Sequence, residues 1–554
     1  MIHFIIDGKI EREFEVSLTI DEPDFWIFLD VSEFKGKKAN LQTIEENETL
    51  DKIYQANSYP GEENIYKEHL RPQFHFSTRR GWINDPNGLV YHDGEYHLFY
   101  QHNPFGWSYG SDANKAWGHA ISKDMIHWEE LRDAIHPDNL GGIYSGSAVV
   151  DKLNTTSFQT GDEKPIVCIY TSAGGKTPWS KDKPFTQSIA FSNDRGRTFT
   201  KYSGNPVQEH IRLSNRDPKV IWYTPLNQWV IVLYLDDDEM GFFTSKDLKS
   251  WQLESKYKRD KLHECPELFE LNIDGNKSNK KWILYAANGR YDIGQFDGKK
   301  FIPETKSIRL HYGNCFYASQ TFNNIPKEDG RRIQIAWGVI PMQGMPFNQQ
   351  MLFPVELTLR TTEDGPRLFA QPINEIKKIY GQNWIFQDNV VEEGQQSILG
   401  ESFDVGFYDI SAEFEIGSAE RFGLIINNIQ ITYETKEQKL YCQERYASLK
   451  PMEGKIKFRI LVDRTTLELF ANDGQIYMPI RTHIDITKLS ELYSKFGTDF
   501  NMTEISELYP YKLNYAVSYT DPIPIGKGDI IVFSKGGITK LVKLEVYELN
   551  SIWH

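Results

Sequence analysis

Ser122-Lys123-Asp124-Met125-Ile126-His127-Trp128 is a short polar turn that runs into an aromatic residue, and its pattern returns along the chain. Ser192-Asn193-Asp194 leads to Phe199, Ser245-Lys246-Asp247 to Trp251, and Asp297-Gly298 to Phe301. Each Asp opens a tight turn, and the aromatic residue four or five positions later begins the next strand. The units recur at roughly 50 to 70 residues, near the length of a propeller blade. Between Pro72 and Phe369 short strands alternate with turns, and helical periodicity is scarce. Four marked units, another before them and room for one after predict a five-bladed β-propeller over residues 66–370. Blades converge on a central channel, where side chains distant in sequence can meet.

Outside that region the pattern stays β. Residues 1–65 read as a small N-terminal β-module and its linker. Met1–Gly8 looks like a strand and turn, Phe14, Val16, Leu18 and Ile20 alternate with polar residues, and Phe25–Val31 reads as a second apolar strand. A short helical pattern near Gln371–Tyr380 predicts a linker helix over 371–384. From 385 to 554 strict alternation returns in Lys455–Ile460. Thr466–Phe470 followed by Ala471-Asn472-Asp473-Gly474 reads as a strand and hairpin turn. This is the pattern of a β-sandwich, with an irregular insertion at 485–525. The whole is expected to be all-β.

Composition narrows the partners. A net charge of −15 argues against nucleic acid or an anionic membrane and favours a neutral substrate. An aromatic content of 14% suits stacking on flat sugar faces as well as all-β cores. The four cysteines, at 168, 265, 315 and 442, lie too far apart in sequence to suggest a disulfide framework or metal knuckle, so free thiols are expected. No apolar run has the length of a membrane span. The opening strand does not read as a leader, so the chain is expected to act inside the cell or to have lost a leader ahead of this numbering.

Three carboxylates share one setting. In Arg79-Arg80-Gly81-Trp82-Ile83-Asn84-Asp85-Pro86-Asn87-Gly88, proline forces Asp85 into extended backbone. Asp85 is therefore expected at a strand end, with Asn87-Gly88 turning the chain into a hairpin over Leu89–Tyr100. Asp217 precedes Pro218 in Asn215–Val220, and Glu264 lies in His263-Glu264-Cys265-Pro266. All three sit at rigid strand starts on different blades, placed to aim into one channel. Cleaving a glycosidic bond needs two carboxyls with different roles. Taken singly, each is equally well a turn residue or a surface carboxylate; their joint occurrence is what points to chemistry. His263-Glu264-Cys265 could in principle ligate a metal, but adjacent strand residues point opposite ways and no cluster accompanies them. No metal or cofactor is expected.

Trp82–Gly88, Arg216-Asp217-Pro218 and Glu264-Cys265-Pro266 resemble the signature motifs of glycoside hydrolase family 32, the invertase, levanase and inulinase family of β-fructosidases. The resemblance extends through Tyr100–Pro104, Tyr144–Ala148, Asn288–Tyr291, Ala336–Gly338, Met345–Asn348, Val462–Arg464 and Glu548–Trp553. It implies a propeller followed by a sandwich and a retaining reaction on β-fructofuranosyl linkages of levan, inulin or sucrose. Asp85 would be nucleophile, Glu264 acid/base, and Asp217 the residue that holds ring hydroxyls. Asn84, Gln101, Ser145 and Trp82 match positions lining the fructose pocket. Trp107 and Trp337 would add aromatic walls, or be ordinary core packing. Arg216 is expected to keep Asp217 ionised, and the charge of Asp85 to raise the pKa of Glu264. Fructosyl transfer from the same site and a non-catalytic fructan-binding role are the alternatives. Tyr109-Gly110, and the six residues Ser111–Ala116 before Trp117-Gly118-His119, depart from the family pattern at the pocket rim.

Overall fold

The computed structural model describes residues 1–19, 21–43, 48–397, 406–482 and 530–553. Five mainly antiparallel sheets follow one another and form the blades of a propeller. Their innermost strands are Gly81–His92, Gly142–Val150, Arg216–Tyr223, Glu267–Asn272 and Phe316–Thr321. The ring closes where Phe347-Asn348, from the fifth-blade segment, pairs in parallel with Gly81-Trp82.

The repeated turns join the third strand to the outermost strand in the first four blades. In each the Asp accepts from the backbone ahead of it. Asp124 Oδ1 takes the Ile126 and His127 amides at 3.0 and 2.9 Å, and Asp247 Oδ1 takes Lys249 and Ser250, both at 2.9 Å. Asp194 takes Thr198 at 2.9 Å, and Asp297 takes Lys299 and Lys300 at 2.8 and 2.7 Å. The fifth blade turns at Thr362–Gly365 without this motif, which is why the repeat announces four units rather than five.

Three local expectations change. Asp85 lies inside the strand Gly81–His92 rather than at its end, and the hairpin turns at Asp93-Gly94, not Asn87-Gly88. Gly88 has φ +55, but its strand continues through a register shift between Asn87 and Val90. A bulge absorbs the turn-forming residues without reversing the chain. The N-terminal module is a three-stranded sheet ordered Lys9–Phe14, Ile2–Ile6, Ala39–Thr43, so Phe25–Val31 is not a strand. Val16, Leu18, Leu29 and Val31 pack on the module's apolar core of Ile2, Phe4, Ile6 and Phe14 without ladder pairing. Burial alone satisfies their apolar pattern. The module docks on the propeller through Phe14 stacked on Phe105, with ring centroids 4.6 Å apart. The Asn114 side chain adds bonds of 2.7 and 2.8 Å to the Glu15 backbone.

After the last blade, the 3-10 segment Asn374–Ile379 leads into the strand Tyr380–Val391. Among the described residues two six-stranded sheets then form the sandwich. Its hairpin turn at Asn472-Asp473-Gly474 uses three consecutive positive φ values. The insertion at 485–525 lies outside the described residues. The main apolar core is shared: Phe74, Phe76 and Phe353 pack in one cluster with Leu461, Phe470, Tyr477, Leu549 and Ile552. Within this contact His75 is fully enclosed, with Nδ1 2.7 Å from Asp463 and Nε2 2.7 Å from Glu468. All four cysteines are buried and free. Among the described residues no helix is long and apolar enough to cross a membrane.

Candidate active site

The inner strands carry a recurring irregularity where they approach the axis. Ladder register shifts between Ile83 and Pro86, Ile143 and Gly146, Arg216 and Lys219, and Tyr317 and Gln320. Asp85, Ser145 and Asp217 lie inside three of these bulges, and Tyr317 borders the fourth. A bulge unpairs one residue and redirects its side chain out of the strand's alternation. Proline is tolerated at 86 and 218 because the bulge removes the need for a ladder donor there. Asp217, Glu264 and Cys265 have φ values of +64, +53 and +38, a region that non-glycine residues adopt only when surrounding structure imposes it. Glu264 and Cys265 lie just ahead of the fourth inner strand. Every blade therefore sends at least one polar side chain to the same place.

Asp85 accepts from Asn84 Nδ2 at 3.0 Å through Oδ1 and from Ser145 Oγ at 2.6 Å through Oδ2. Asn84 is held in that orientation because its own oxygen accepts from Trp82 Nε1 at 3.0 Å and Lys115 Nζ at 3.1 Å. The Cys265 thiol stands between two carboxylates, 3.7 Å from Asp85 Oδ2 and 3.6 Å from Asp217 Oδ2. Burial, and then the surrounding carboxylates, push that thiol well above its usual pKa, so it stays neutral, with its one S–H shared between the two. Arg216 bridges the other pair: Nε is 3.7 Å from Asp217, and Nη2 donates to Glu264 Oε1 at 2.7 Å. Tyr317 donates to Glu264 Oε2 at 3.0 Å, and His263 Nε2 lies 3.1 Å from Oε1.

These contacts revise the expected electrostatics. Arg216 is closer to Glu264 than to Asp217. Burial raises Asp217 to about 7, with Arg216 opposing and the charges of Glu264 and Asp85 adding to the rise. Burial also raises Asp85, against the bonds from Ser145 and Asn84. Glu264 moves the other way: burial pushes it up, but His263 and Arg216 together outweigh burial and hold it well below the carboxylate range. The expected rise of Glu264 beside Asp85 fails because two nearby cationic groups outweigh one anion.

Trp82 and Trp337 meet edge to face at 6.1 Å and share a buried cluster with Cys265 and Tyr317, so they form a wall beside the carboxylates. Gln101 spends its amide on the Ile143 carbonyl at 2.8 Å, holding the second inner strand. Trp107 donates instead to the Met342 carbonyl at 3.2 Å. Sequence reasoning passed over Lys115, His263 and Tyr317 as contributors here. Lys115 lies 3.0 Å from the Tyr109 ring centre, with burial lowering it to about 7. Its only signal was its place in the unusual 111–116 segment. Among the described residues no group of His, Cys, Asp and Glu could hold a metal ion. A cavity of about 930 Å³ lies away from the carboxylates, in the sandwich beside Arg464, Thr482 and Lys535.

Buried carboxyls whose proton affinities are pushed in opposite directions, set beside aromatic walls, are the equipment of a glycoside hydrolase. Residues 75–372 match the glycosyl hydrolases family 32 N-terminal domain, and 375–482 match the family's C-terminal domain. A levanase of Bacillus subtilis (strain 168) is 38% identical over 78% of this chain and 69% of its own length. An extracellular exo-inulinase of Meyerozyma guilliermondii is 32% identical, over 64% of this chain and 72% of its own. The crystal structure of an exo-inulinase from Aspergillus awamori superposes with a TM-score of 0.72 at 25% identity, covering 88% of this chain and all of that one. The chain belongs to glycosyl hydrolases family 32, and it is a glycoside hydrolase.

Proposed function

We propose that this enzyme is a retaining β-fructosidase that cleaves β-fructofuranosyl linkages of fructans, such as levan and inulin, and of sucrose. Asp85 attacks the anomeric carbon and forms a fructosyl ester, while Glu264 protonates the departing oxygen and then takes a proton from water. Asp217 holds ring hydroxyls and faces the positive charge of the transition state. The observation that carries this reading is the meeting of all three carboxylates, through Cys265 and Arg216, at the inner strands of three separate blades.

Resting charges must change before the chemistry. Sugar hydroxyls donating to Asp217 favour its ionised form, which draws Arg216 away from Glu264 and lets Glu264 take up a proton. Asp85→Asn is expected to abolish release of fructose from levan, inulin and sucrose while binding persists. Turnover near the wild-type rate would remove Asp85 as nucleophile. Glu264→Gln should lose most on sugar leaving groups and least on an activated aryl fructoside, and equal loss on both would count against the acid role.

A further inference from the structure

Glu264 is not held by catalytic partners alone. His263 stands beside it in sequence, and the strained φ values of residues 264 and 265 turn the chain so that the imidazole faces the carboxylate. Nε2 lies 3.1 Å from Glu264 Oε1, and Nδ1 lies 3.1 Å from Asp238 Oδ1 and 2.8 Å from the Tyr234 hydroxyl. The ring sits edge to face on Tyr234, at 5.2 Å between centres. An ionised carboxylate only accepts, so an imidazole with one at each nitrogen satisfies both only when it carries two protons. Asp238 is itself anchored, accepting from the Lys261 amide at 3.0 Å through its other oxygen.

We propose that His263, backed by Asp238 and Tyr234, is a positioning residue that sets the pH at which Glu264 releases its proton. This rests on the assignment of Glu264 as acid/base. The charged groups facing the ring are Glu264, Asp238 and Arg216. The two carboxylates favour the imidazolium and Arg216 opposes it, while burial is the largest opposing effect; the balance places His263 at about 9. A cation fixed against Glu264 lowers the pH at which the acid form disappears. It thereby draws the alkaline limb of activity toward acid.

The test is kcat/KM against pH for the full chain and for His263→Gln, Asp238→Asn and the double variant, with folding checked by circular dichroism and Tm. Glutamine keeps a donor and removes the charge. Its alkaline limb should move up by about one pH unit, a roughly tenfold gain in the proton affinity of Glu264. Asp238→Asn should move it the same way by less, and the double variant no further than His263→Gln. A folded His263→Gln enzyme whose alkaline limb stays in place overturns the proposal, even if its rate falls. If His263→Gln does not fold, Asp238→Asn with Tyr234→Phe decides, and an unmoved limb in both is equally fatal. Glu264→Gln assayed on aryl and sugar leaving groups separates the two readings. Equal loss there removes the acid role of Glu264, whereas a leaving-group-dependent loss with an unmoved limb removes only His263.

Discussion

The bond from Ser145 Oγ to Asp85 Oδ2, at 2.6 Å, is the shortest hold on the carboxylate proposed as nucleophile. It favours the charged form against burial, which raises the pKa of Asp85. Ser145→Ala removes that support. Asp85 should then ionise at higher pH, so the acid limb of kcat/KM should shift upward. The value at the optimum should fall about tenfold, as expected for losing one charge-assisted bond. An acid limb that does not move would mean the hydroxyl serves packing alone. Ser145 was readable in sequence through its motif. Tyr317 was not: no spacing links it to Glu264, and only the packing of the fifth blade beside the fourth, with the Ala318 amide bonded to the Ala287 carbonyl at 2.9 Å, brings the two together.

At the scale of the strand, the bulge is the working device. Gly146 follows Ser145 at the second blade's bulge, and its amide donates to Asn87 Oδ1 at 3.3 Å. A Cβ there would stand 2.0 Å from the Ile169 carbonyl oxygen and 2.7 Å from Tyr170 Cα, both backbone atoms of the paired strand. They cannot yield as a side chain would. Gly146→Ala should cost about 1–3 kcal/mol and lower Tm by several degrees. Activity should drop further than stability alone explains, because Ser145 is displaced from Asp85. A variant with wild-type Tm would show that the inner strand slides freely. The alternation pattern could not reveal these bulges, since turn residues such as Asn87-Gly88 signal a reversal and a bulge equally well.

Across the molecule, propeller and sandwich are joined by a buried charge cluster as well as by apolar packing. His75 is enclosed between Asp463 and Glu468, and their bonds and charges outweigh burial to raise it to about 9. The unfolded chain holds a histidine proton only to about pH 6.5. The cluster's contribution is therefore complete below pH 6.5 and is lost as pH climbs through 9. Thermal unfolding should show stability falling by about 3 kcal/mol across that window. His75→Gln should flatten this dependence and lower Tm at neutral pH, since it leaves two buried carboxylates without their cation. A wild-type Tm independent of pH between 6.5 and 9 would refute the account.

By itself the sequence determined the all-β character, the four turn-capped blades and the three motif carboxylates. Each of these is local: an Asp accepting amides two to four residues ahead, a proline restricting its neighbour, an apolar pattern of period two. The tertiary structure alone decided which partner each charge meets. Arg216 adjoins Asp217 in sequence yet lies closer to Glu264, 48 residues on, and His263 finds Asp238 across the site. Proton affinities follow from distances and burial, and both are created when separate blades close into one ring.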